Sequence, residues 1–372
     1  MLSIAGIGFV TGPRPRKIND VILHDIDTRG FASDNYSGVH PDILTAIADA
    51  NHGHQSSYGA DVYTERLGEV FRTHFGPDAR AYPVLTGTGA NVIALQALTA
   101  RWGAVICADS GHVHTDEGGA PEKTGGLKLL PVPTVHGKLT VEAIRTQSWG
   151  FDDPHRARPQ VVSLAQATEL GTVYTPEEIR AICEYAHGHG MSVHMDGSRL
   201  ANAAARLGVP LRALTTDAGV DVLSFGGTKN GMLLGEAVVL LDPALDPGID
   251  RLRKTSMQLA SKQRFVAAQF LALLENDLWL RNAAHANAMA DLLSEGLRDL
   301  PEVTVIHPVQ SNALFVRLPE KVLAGLHDDF AFYDWGGTPG EARWMTSFDT
   351  TAEDVEAVLS LIRSALLDGR HS

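Results

Sequence analysis

Residues 224–231 read Ser-Phe-Gly-Gly-Thr-Lys-Asn-Gly and place one lysine, Lys229, in a turn of small residues. The turn directly follows the apolar run 222–225, which has the composition of a buried strand. Glycines before a lysine let the backbone pass close to a ligand, a freedom that a surface lysine does not need. The stretch therefore indicates a strand that ends in a lysine placed for imine formation with an aldehyde.

A second apolar run ends in a carboxylate. Residues 194–199 read His-Met-Asp-Gly-Ser-Arg, with Asp196 at the predicted strand end. Lys229 and Asp196 together predict a pyridoxal 5′-phosphate (PLP) enzyme, in which the lysine holds the aldehyde and the acid pairs with the ring nitrogen. Taken alone, Asp196 equally fits a cap for the predicted helix 198–206. Arg199 fits either a solvated helix position or a group that faces the cofactor or a substrate carboxylate.

A glycine-threonine turn supplies a candidate phosphate site. Residues 86–91 read Thr-Gly-Thr-Gly-Ala-Asn and lie between a predicted strand and a predicted helix. The amides that open a helix, with the Thr88 hydroxyl, are suited to bind a dianion beside Gly87. The same pattern also occurs in ordinary turns. It lacks the third glycine of a dinucleotide fingerprint and the Gly-Lys-Ser/Thr ending of a Walker loop.

A loop with two histidines and two acids follows the predicted strand 104–108. Residues 110–119 read Ser-Gly-His-Val-His-Thr-Asp-Glu-Gly-Gly. A metal site is one interpretation, but all these ligands belong to one loop, with no distant third ligand. We favour a histidine stacked on the cofactor ring over a metal ligand, because imidazole offers a flat face and a proton-transfer group. His112 is the candidate, and no metal is predicted.

Short apolar runs alternate with helical patterns from about residue 40 to residue 275, which predicts an α/β fold. Several runs are apolar at consecutive positions, as in parallel strands covered on both faces. We expect a large domain with a mostly parallel, seven-stranded sheet. The predicted strands are 82–85, 104–108, 127–131, 159–165, 192–196, 221–225 and 237–242, and the predicted helices include 62–75, 89–101, 175–188 and 198–206.

The pattern changes after the helical region 252–299. Short strands at 303–306 and 313–318 and a closing helix at 351–368 indicate a smaller α+β unit, and 336–340 reads as a turn. We therefore predict three parts of the chain: an N-terminal extension over 1–30, a large PLP-binding domain over 31–275 and a small C-terminal domain over 276–372.

Composition excludes several classes of protein. The chain has 372 residues and a net charge of −13, which argues against nucleic acid and anionic membranes as partners. Its two cysteines, Cys107 and Cys183, are too few for a disulfide framework. The first residues lack the order of charge and apolarity of a secretory signal, and no apolar run has the length of a membrane span. We expect a cytoplasmic protein.

From residue 31 onward the chain resembles the low-specificity L-threonine aldolases, PLP enzymes of fold type I. The resemblance rests on Ser33-Asp34-Asn35, Tyr58-Gly59-Ala60-Asp61, Gly87-Thr88 with Asn91, His112 with Glu117-Gly118-Gly119, the segment 194–199, Thr228-Lys229 and Arg343 in Ala342-Arg343-Trp344-Met345-Thr346.

The resemblance implies a role for each matching residue. Lys229 would bind the cofactor aldehyde, Asp196 the ring nitrogen, and His112 would stack on the ring; a phosphate site would include Gly87 and Thr88, with Asn91 close by. Ser33, Arg199 and Arg343 would hold the substrate carboxylate. Family members are usually homotetramers, and Tyr58 resembles a residue donated by a neighbouring subunit. One departure is Gln166-Ala167-Thr168-Glu169, where many relatives have a histidine, so Glu169 becomes a candidate for its role.

These residues predict retro-aldol cleavage of L-threonine, L-allo-threonine and related β-hydroxy-α-amino acids to glycine and an aldehyde. The base for the β-hydroxyl proton stays open between His112, Glu169 and a bound water. On the same site, β-elimination or amino transfer on a small amino acid is the alternative. A non-catalytic binding protein is a further alternative, which the intact Lys229, Asp196 and arginines disfavour.

Overall fold

The computed structural model describes residues 29–245 and 248–369. The N-terminal extension predicted for 1–30 therefore lies outside the described residues, apart from its last two. The strands form two sheets, one of seven strands and one of four. They are β1 (Arg80–Val84), β2 (Gly103–Ala108), β3 (Lys128–Val132), β4 (Arg158–Ala165), β5 (Ser192–Gly197), β6 (Val222–Gly226), β7 (Glu236–Leu240), β8 (Thr304–Val305), β9 (Ala313–Arg317), β10 (Tyr333–Asp334) and β11 (Glu341–Met345).

Helices cover the sheets and connect their strands. They are α1 (Pro41–Ala50), α2 (Val62–Phe75), α3 (Gly87–Leu98), α4 (His112–Thr115), α5 (Ala120–Lys123), α6 (Val141–Arg145), α7 (Pro176–Gly188), α8 (Leu200–Leu207), α9 (Ile249–Thr255), α10 (Arg264–Leu274), α11 (Leu278–Gly296), α12 (Glu320–Leu326) and α13 (Ala352–Gly369).

The large sheet has the strand order β1-β7-β6-β5-β4-β2-β3. Neighbouring strands are parallel except at β7, which is antiparallel to both β6 and β1. Every residue of β2, β6 and β7 is buried, because helices cover both faces of the sheet. The predicted α/β class with a mostly parallel, seven-stranded sheet is confirmed.

The helical region predicted at 252–299 contains the end of α9 and the whole of α10 and α11. Met257 and Asp277 have left-handed backbone conformations, with φ of 60° and 53°, and lie in the two interruptions. A helix cannot continue through such a residue, so the chain changes direction at both points. The apolar spacing of the sequence does not reveal these backbone angles, so the positions of the two interruptions could not be predicted.

The second sheet has the order β10-β11-β9-β8 and its own core, which includes Trp344 and the closing helix α13. Helix α11 serves both cores: Trp279 packs into the main core and Leu293 into the second one. Phe31 also packs into the second core, and its backbone carbonyl accepts a hydrogen bond from the Met345 amide on β11. The domain boundary near residue 276 stays a prediction, but a small α+β unit is present.

Two further features bear on other classes of function. Cys107 and Cys183 are both buried without a disulfide, and burial raises the pKa of each thiol to about 12. Across residues 29–245 and 248–369, no helix combines the length and apolarity needed to span a membrane.

Candidate active site

The predicted site residues follow the carboxyl ends of neighbouring strands. Asp196 is the penultimate residue of β5, Lys229 follows β6, Gly87 follows β1, and His112 follows β2. These four strands run in the same direction, so their ends lie along one edge of the sheet. Ligands of open α/β sheets bind at this edge.

Asp196 is buried and held on both carboxylate oxygens. Asn91 Nδ2 donates to Oδ2 at 2.9 Å, while the Ser198 amide and hydroxyl donate to Oδ1 at 3.0 and 2.7 Å. Burial alone would raise the pKa of Asp196, but the charges of His112 and Lys229 and these hydrogen bonds together hold the pKa below its ordinary value. The carboxylate therefore stays ionised at neutral pH. The prediction that it pairs with a cationic ring nitrogen requires this ionisation.

His112 is oriented by a buried acid that has no assigned role in the sequence prediction. Its Nδ1 donates to Glu117 Oε1 at 2.9 Å, and Asn91 Nδ2 donates to the same oxygen at 2.7 Å. The hydrogen bond to Glu117 is the main cause of a raised His112 pKa, against the opposing effect of burial. Asn91 thus links His112 and Glu117 to Asp196 in one network.

The ligand atoms of His112, Glu117 and Asp196 lie within 4.8 Å of one another, which a metal ion also requires. The Asn91 amide, however, donates to both carboxylates, and His112 Nδ1 is already bonded to Glu117. A donor group between two acids occupies the space of a cation rather than acting as its ligand. The donor set therefore fits a flat organic cation beside Asp196 better than a metal.

The glycine-threonine turn begins helix α3. Thr86 Oγ1 accepts the Gly89 amide at 3.1 Å, so Thr86 is the N-cap. Because Gly87 and Thr88 are the first residues of the helix, their amides have no acceptor within it. A Cβ added to Gly87 would have Ser198 Oγ, at 3.9 Å, as its nearest neighbour. The turn thus leaves open space next to the segment that carries Asp196.

Lys229 lies in the 3₁₀ turn Thr228–Asn230 and is half-buried. Gly226, the last residue of β6, is needed for packing, because a Cβ on it would lie 2.6 Å from the Ser198 carbonyl oxygen. The Lys229 charge lowers the pKa of Asp196 and acts on His112. The structure thus brings Lys229 together with the other predicted cofactor-binding residues.

Arg199 forms a buried, bidentate ion pair with Asp34. Its Nε and Nη2 donate to the Asp34 carboxylate at 2.8 and 3.0 Å, and Asn312 Nδ2 donates to the same carboxylate at 3.1 Å. Two of the three guanidinium nitrogens are therefore held by Asp34, which the sequence prediction left without a role. The signal was available, since Asp34 belongs to the quoted Ser33-Asp34-Asn35 motif and Ser33 next to it is also buried.

Arg343 reaches the same region from β11. Its Nη2 donates to the Ala32 carbonyl at 3.1 Å, and its guanidinium lies 5.2 and 5.1 Å from the ring centroids of Tyr333 and Trp335. Its buried Nε has no hydrogen-bond partner among the described residues. Burial lowers the Arg343 pKa, and the nearby Arg199 charge lowers it further. Two cations and an unused buried donor suit a carboxylate ligand.

Glu169 lines a cavity together with His112 and Asp196. Gln166 does not take part: its side chain bonds the Tyr174 backbone, with Nε2 donating at 2.8 Å and Oε1 accepting at 3.1 Å. The loop 166–169, which departs from the family pattern, therefore contributes Glu169 to the cavity. Gln166 stabilises the loop through its hydrogen bonds to the Tyr174 backbone.

Tyr58 is not joined to this group within the described part of the chain. Its side chain is half exposed, its amide donates to the Ser261 carbonyl at 2.9 Å, and Lys254 Nζ lies 5.0 Å from its ring centroid. Its predicted placement in a neighbouring subunit's site stays a prediction.

Comparison with known proteins identifies the family. Residues 30–320 match the beta-eliminating lyase family. The chain is 45% identical over 342 residues to the low specificity L-threonine aldolase of Pseudomonas aeruginosa, covering 91% of this chain and 98% of that protein. It is 44% identical to the enzyme of the same name from a Pseudomonas species, covering 90% and 97%.

A solved structure of a Leishmania major threonine aldolase superposes with a TM-score of 0.85 at 30% identity, covering 90% of this chain and 98% of that one. The fold type predicted from the sequence is confirmed by this match. The chain belongs to the beta-eliminating lyase family and, within it, to the low-specificity L-threonine aldolases, which are PLP-dependent lyases.

Proposed function

We propose that this protein cleaves L-threonine, L-allo-threonine and related β-hydroxy-α-amino acids to glycine and an aldehyde. The observation that carries the proposal is the placement of Lys229, Asp196 and His112 at one sheet edge, in a chain 45% identical to a low specificity L-threonine aldolase. The two arginines beside this edge supply the carboxylate recognition that an amino-acid substrate needs.

The residues present fit PLP. Among the described residues, no lysine, arginine or histidine forms an ion pair with the buried Asp196, although buried carboxylates are normally paired. A protonated pyridine ring would supply the missing cation, with His112 against its face and a phosphate on the first amides of α3 near Gly87 and Thr88. When bound, the cofactor supplies an electron sink for the pair released as the Cα–Cβ bond breaks.

The carboxylate of the substrate is bound by the arginine pair. Arg343 offers its unpaired Nε, and Arg199 offers Nη1, the nitrogen that Asp34 does not engage. The Arg199 charge lowers the pKa of Arg343, so an anion bound by both groups would stabilise the charged form of Arg343. Held in this way, the substrate keeps its Cα–Cβ bond in one orientation, which is a precondition for selective cleavage.

Glu169 is the proposed base that accepts the β-hydroxyl proton. His112 is poorly suited to this role, because its raised pKa favours the protonated imidazole and its Nδ1 is bonded to Glu117. Glu169 lines the same cavity and, among the described residues, is bonded to no lysine or arginine. Protonated His112 then serves to orient the ring and to hold a proton at Nε2.

The proposal also includes the location of the enzyme in the cell and its oligomeric state. We place the enzyme in the cytoplasm, and we propose a homotetramer in which Tyr58 completes a neighbour's site. The half-exposed ring of Tyr58, with Lys254 Nζ 5.0 Å from its centroid, supports the proposed role of Tyr58 in a neighbouring subunit's site.

The test is to incubate the PLP-loaded protein with L-threonine and L-allo-threonine and to measure glycine and acetaldehyde. Equal amounts of the two products are expected, and Lys229→Ala should release neither and lack the visible absorbance of the lysine-bound cofactor. Accumulation of 2-oxobutanoate instead would show β-elimination and overturn the proposal. L-Phenylserine extends the test to bulkier side chains.

A further inference from the structure

A glutamine side chain holds both sides of the turn that we propose as the phosphate site. Gln258 Oε1 accepts the amide of Leu85, the residue after β1, at 3.0 Å. The same side chain packs against Gly89, because a Cβ added to Gly89 would lie 2.7 Å from both Oε1 and Nε2 of Gln258. Gln258 therefore contacts the chain before and after Gly87 and Thr88, whose amides have no acceptor within helix α3.

The backbone of Gln258 is fixed by the end of helix α9. The Met257 amide donates to the Lys254 carbonyl at 3.1 Å, and the Gln258 amide donates to the Arg253 carbonyl at 2.9 Å. With Met257 in the left-handed conformation, at φ of 60°, these two bonds form a Schellman motif. The Gln258 side chain thus extends toward α3 from a backbone that is already held in place.

Two further side chains of the same segment hold the end of β1. Arg253 Nη1 and Gln263 Nε2 both donate to the Pro83 carbonyl, at 3.1 and 3.4 Å. Together with Gln258, they attach the segment 253–263 to residues 83–85, which lead directly into the glycine-threonine turn. The position of the turn therefore depends on side chains from this segment.

We propose that Gln258 is a positioning residue for the cofactor phosphate, and that the site requires this residue to be uncharged. The inference rests on the proposed function, in which PLP binds with its phosphate at Gly87 and Thr88. Glutamate has the same size and also accepts an amide hydrogen, but its second oxygen would place a negative charge beside Gly89, in the first turn of α3. That charge would oppose the phosphate dianion. Glutamine holds the Leu85 amide without this repulsion.

Two substitutions separate the hydrogen bond from the charge. Gln258→Leu keeps most of the bulk but loses the acceptor of the Leu85 amide, whereas Gln258→Glu keeps an acceptor and adds a charge. Each should weaken the binding of PLP to the cofactor-free protein by about tenfold, the first because the turn loses its position and the second by repulsion. Binding of pyridoxal, which has the ring and aldehyde but no phosphate, should change little, because Lys229 and Asp196 are intact. A general loss of structure would lower both affinities together.

A second glutamine that packs on a glycine provides a matched control. Gln160 Oε1 accepts the Ala100 amide at 2.8 Å and occupies the place that a Cβ on Gly103 would take. Gly103 is the first residue of β2, at the strand end opposite to the one that leads to His112. Gln160→Leu and Gln160→Glu therefore repeat both changes away from the proposed site. They should leave the ratio of PLP affinity to pyridoxal affinity at its wild-type value.

Gly89→Ala tests the same contact from helix α3. The new methyl group would take the place of the Gln258 side chain and displace it, so this variant should also lose affinity for PLP. In the double variant Gly89→Ala/Gln258→Ala there is no long side chain to displace. The double variant should therefore bind PLP as well as Gln258→Ala alone does. Losses of affinity that multiply would contradict the contact.

The experiment measures the dissociation constants of PLP and of pyridoxal for the cofactor-free full chain, from the visible absorbance of the lysine-bound aldehyde. A wild-type ratio of the two constants in both Gln258→Leu and Gln258→Glu would overturn the proposal. If Gln258→Leu does not fold, Gln258→Glu decides alone, because it keeps the hydrogen bond to Leu85. A wild-type protein that binds neither aldehyde would instead refute the proposed function, so the two failures are distinguishable.

Discussion

Arg199 and Asp34 form a bidentate ion pair, Nε to Oδ2 at 2.8 Å and Nη2 to Oδ1 at 3.0 Å, in which both side chains are almost completely buried. The pair joins the segment after β5 to the segment that packs on the second sheet. It fixes a guanidinium at the predicted substrate site by means of an acid far away in the sequence. Its energetics lead to the first prediction.

Asp34→Asn should destabilise the protein by about 3–5 kcal/mol, because it leaves the buried Arg199 charge uncompensated. Chemical denaturation of the two proteins measures the difference. Asp42→Asn, at an exposed position of α1, is the control and should change the free energy of unfolding little. A loss as small as that of the control would mean that water reaches Arg199.

Glu117→Gln should lower the thermal stability of the protein, and mainly below neutral pH. The Glu117 hydrogen bond raises the pKa of His112 in the folded state above its ordinary value of 6.5. The resulting stabilisation is complete below that ordinary pKa and disappears as the pH rises through the raised value. The difference in melting temperature between wild type and variant, measured without cofactor, should therefore shrink as the pH rises from about 5.5 to about 8. A difference that grows with pH would contradict the assignment.

Arg343→Ala should raise KM for L-threonine by about 10²-fold, the loss expected for a charge-assisted bidentate contact, and should reduce kcat less. Arg343→Lys keeps the charge but loses the planar fork between Tyr333 and Trp335, so its KM should stay well above the wild-type value. Steady-state kinetics decide the matter. An unchanged KM in both variants would exclude Arg343 from carboxylate binding.

Much of the fold could be predicted from the sequence because strands buried on both faces appear as uninterrupted apolar runs. The run predicted at 221–225 is β6, Val222–Gly226, and the run at 192–196 is β5, Ser192–Gly197. An uninterrupted apolar run, however, does not indicate the direction of the strand. The antiparallel β7 is as apolar as its parallel neighbours, so no pattern distinguishes it.

The site was only partly predictable for a related reason. Lys229 and Asp196 stand out because each lies at or just beyond the end of an apolar run, whereas Glu117 and Asp34 act through partners that only the folded chain brings close.

The choice between the two proposed proton-transfer groups gives the last prediction. Glu169→Gln keeps the shape of the side chain but removes its basicity, so kcat for L-threonine should fall by about 10²–10⁴ with little change in KM. Glu142→Gln, at an exposed position of α6, is the control and should retain full activity. Binding of glycine, which has no β-hydroxyl group, should survive in Glu169→Gln, because the carboxylate contacts of the two arginines are intact. If Glu169→Gln keeps the wild-type kcat while His112→Asn loses it, the base is His112, and Glu169 serves only to line the cavity.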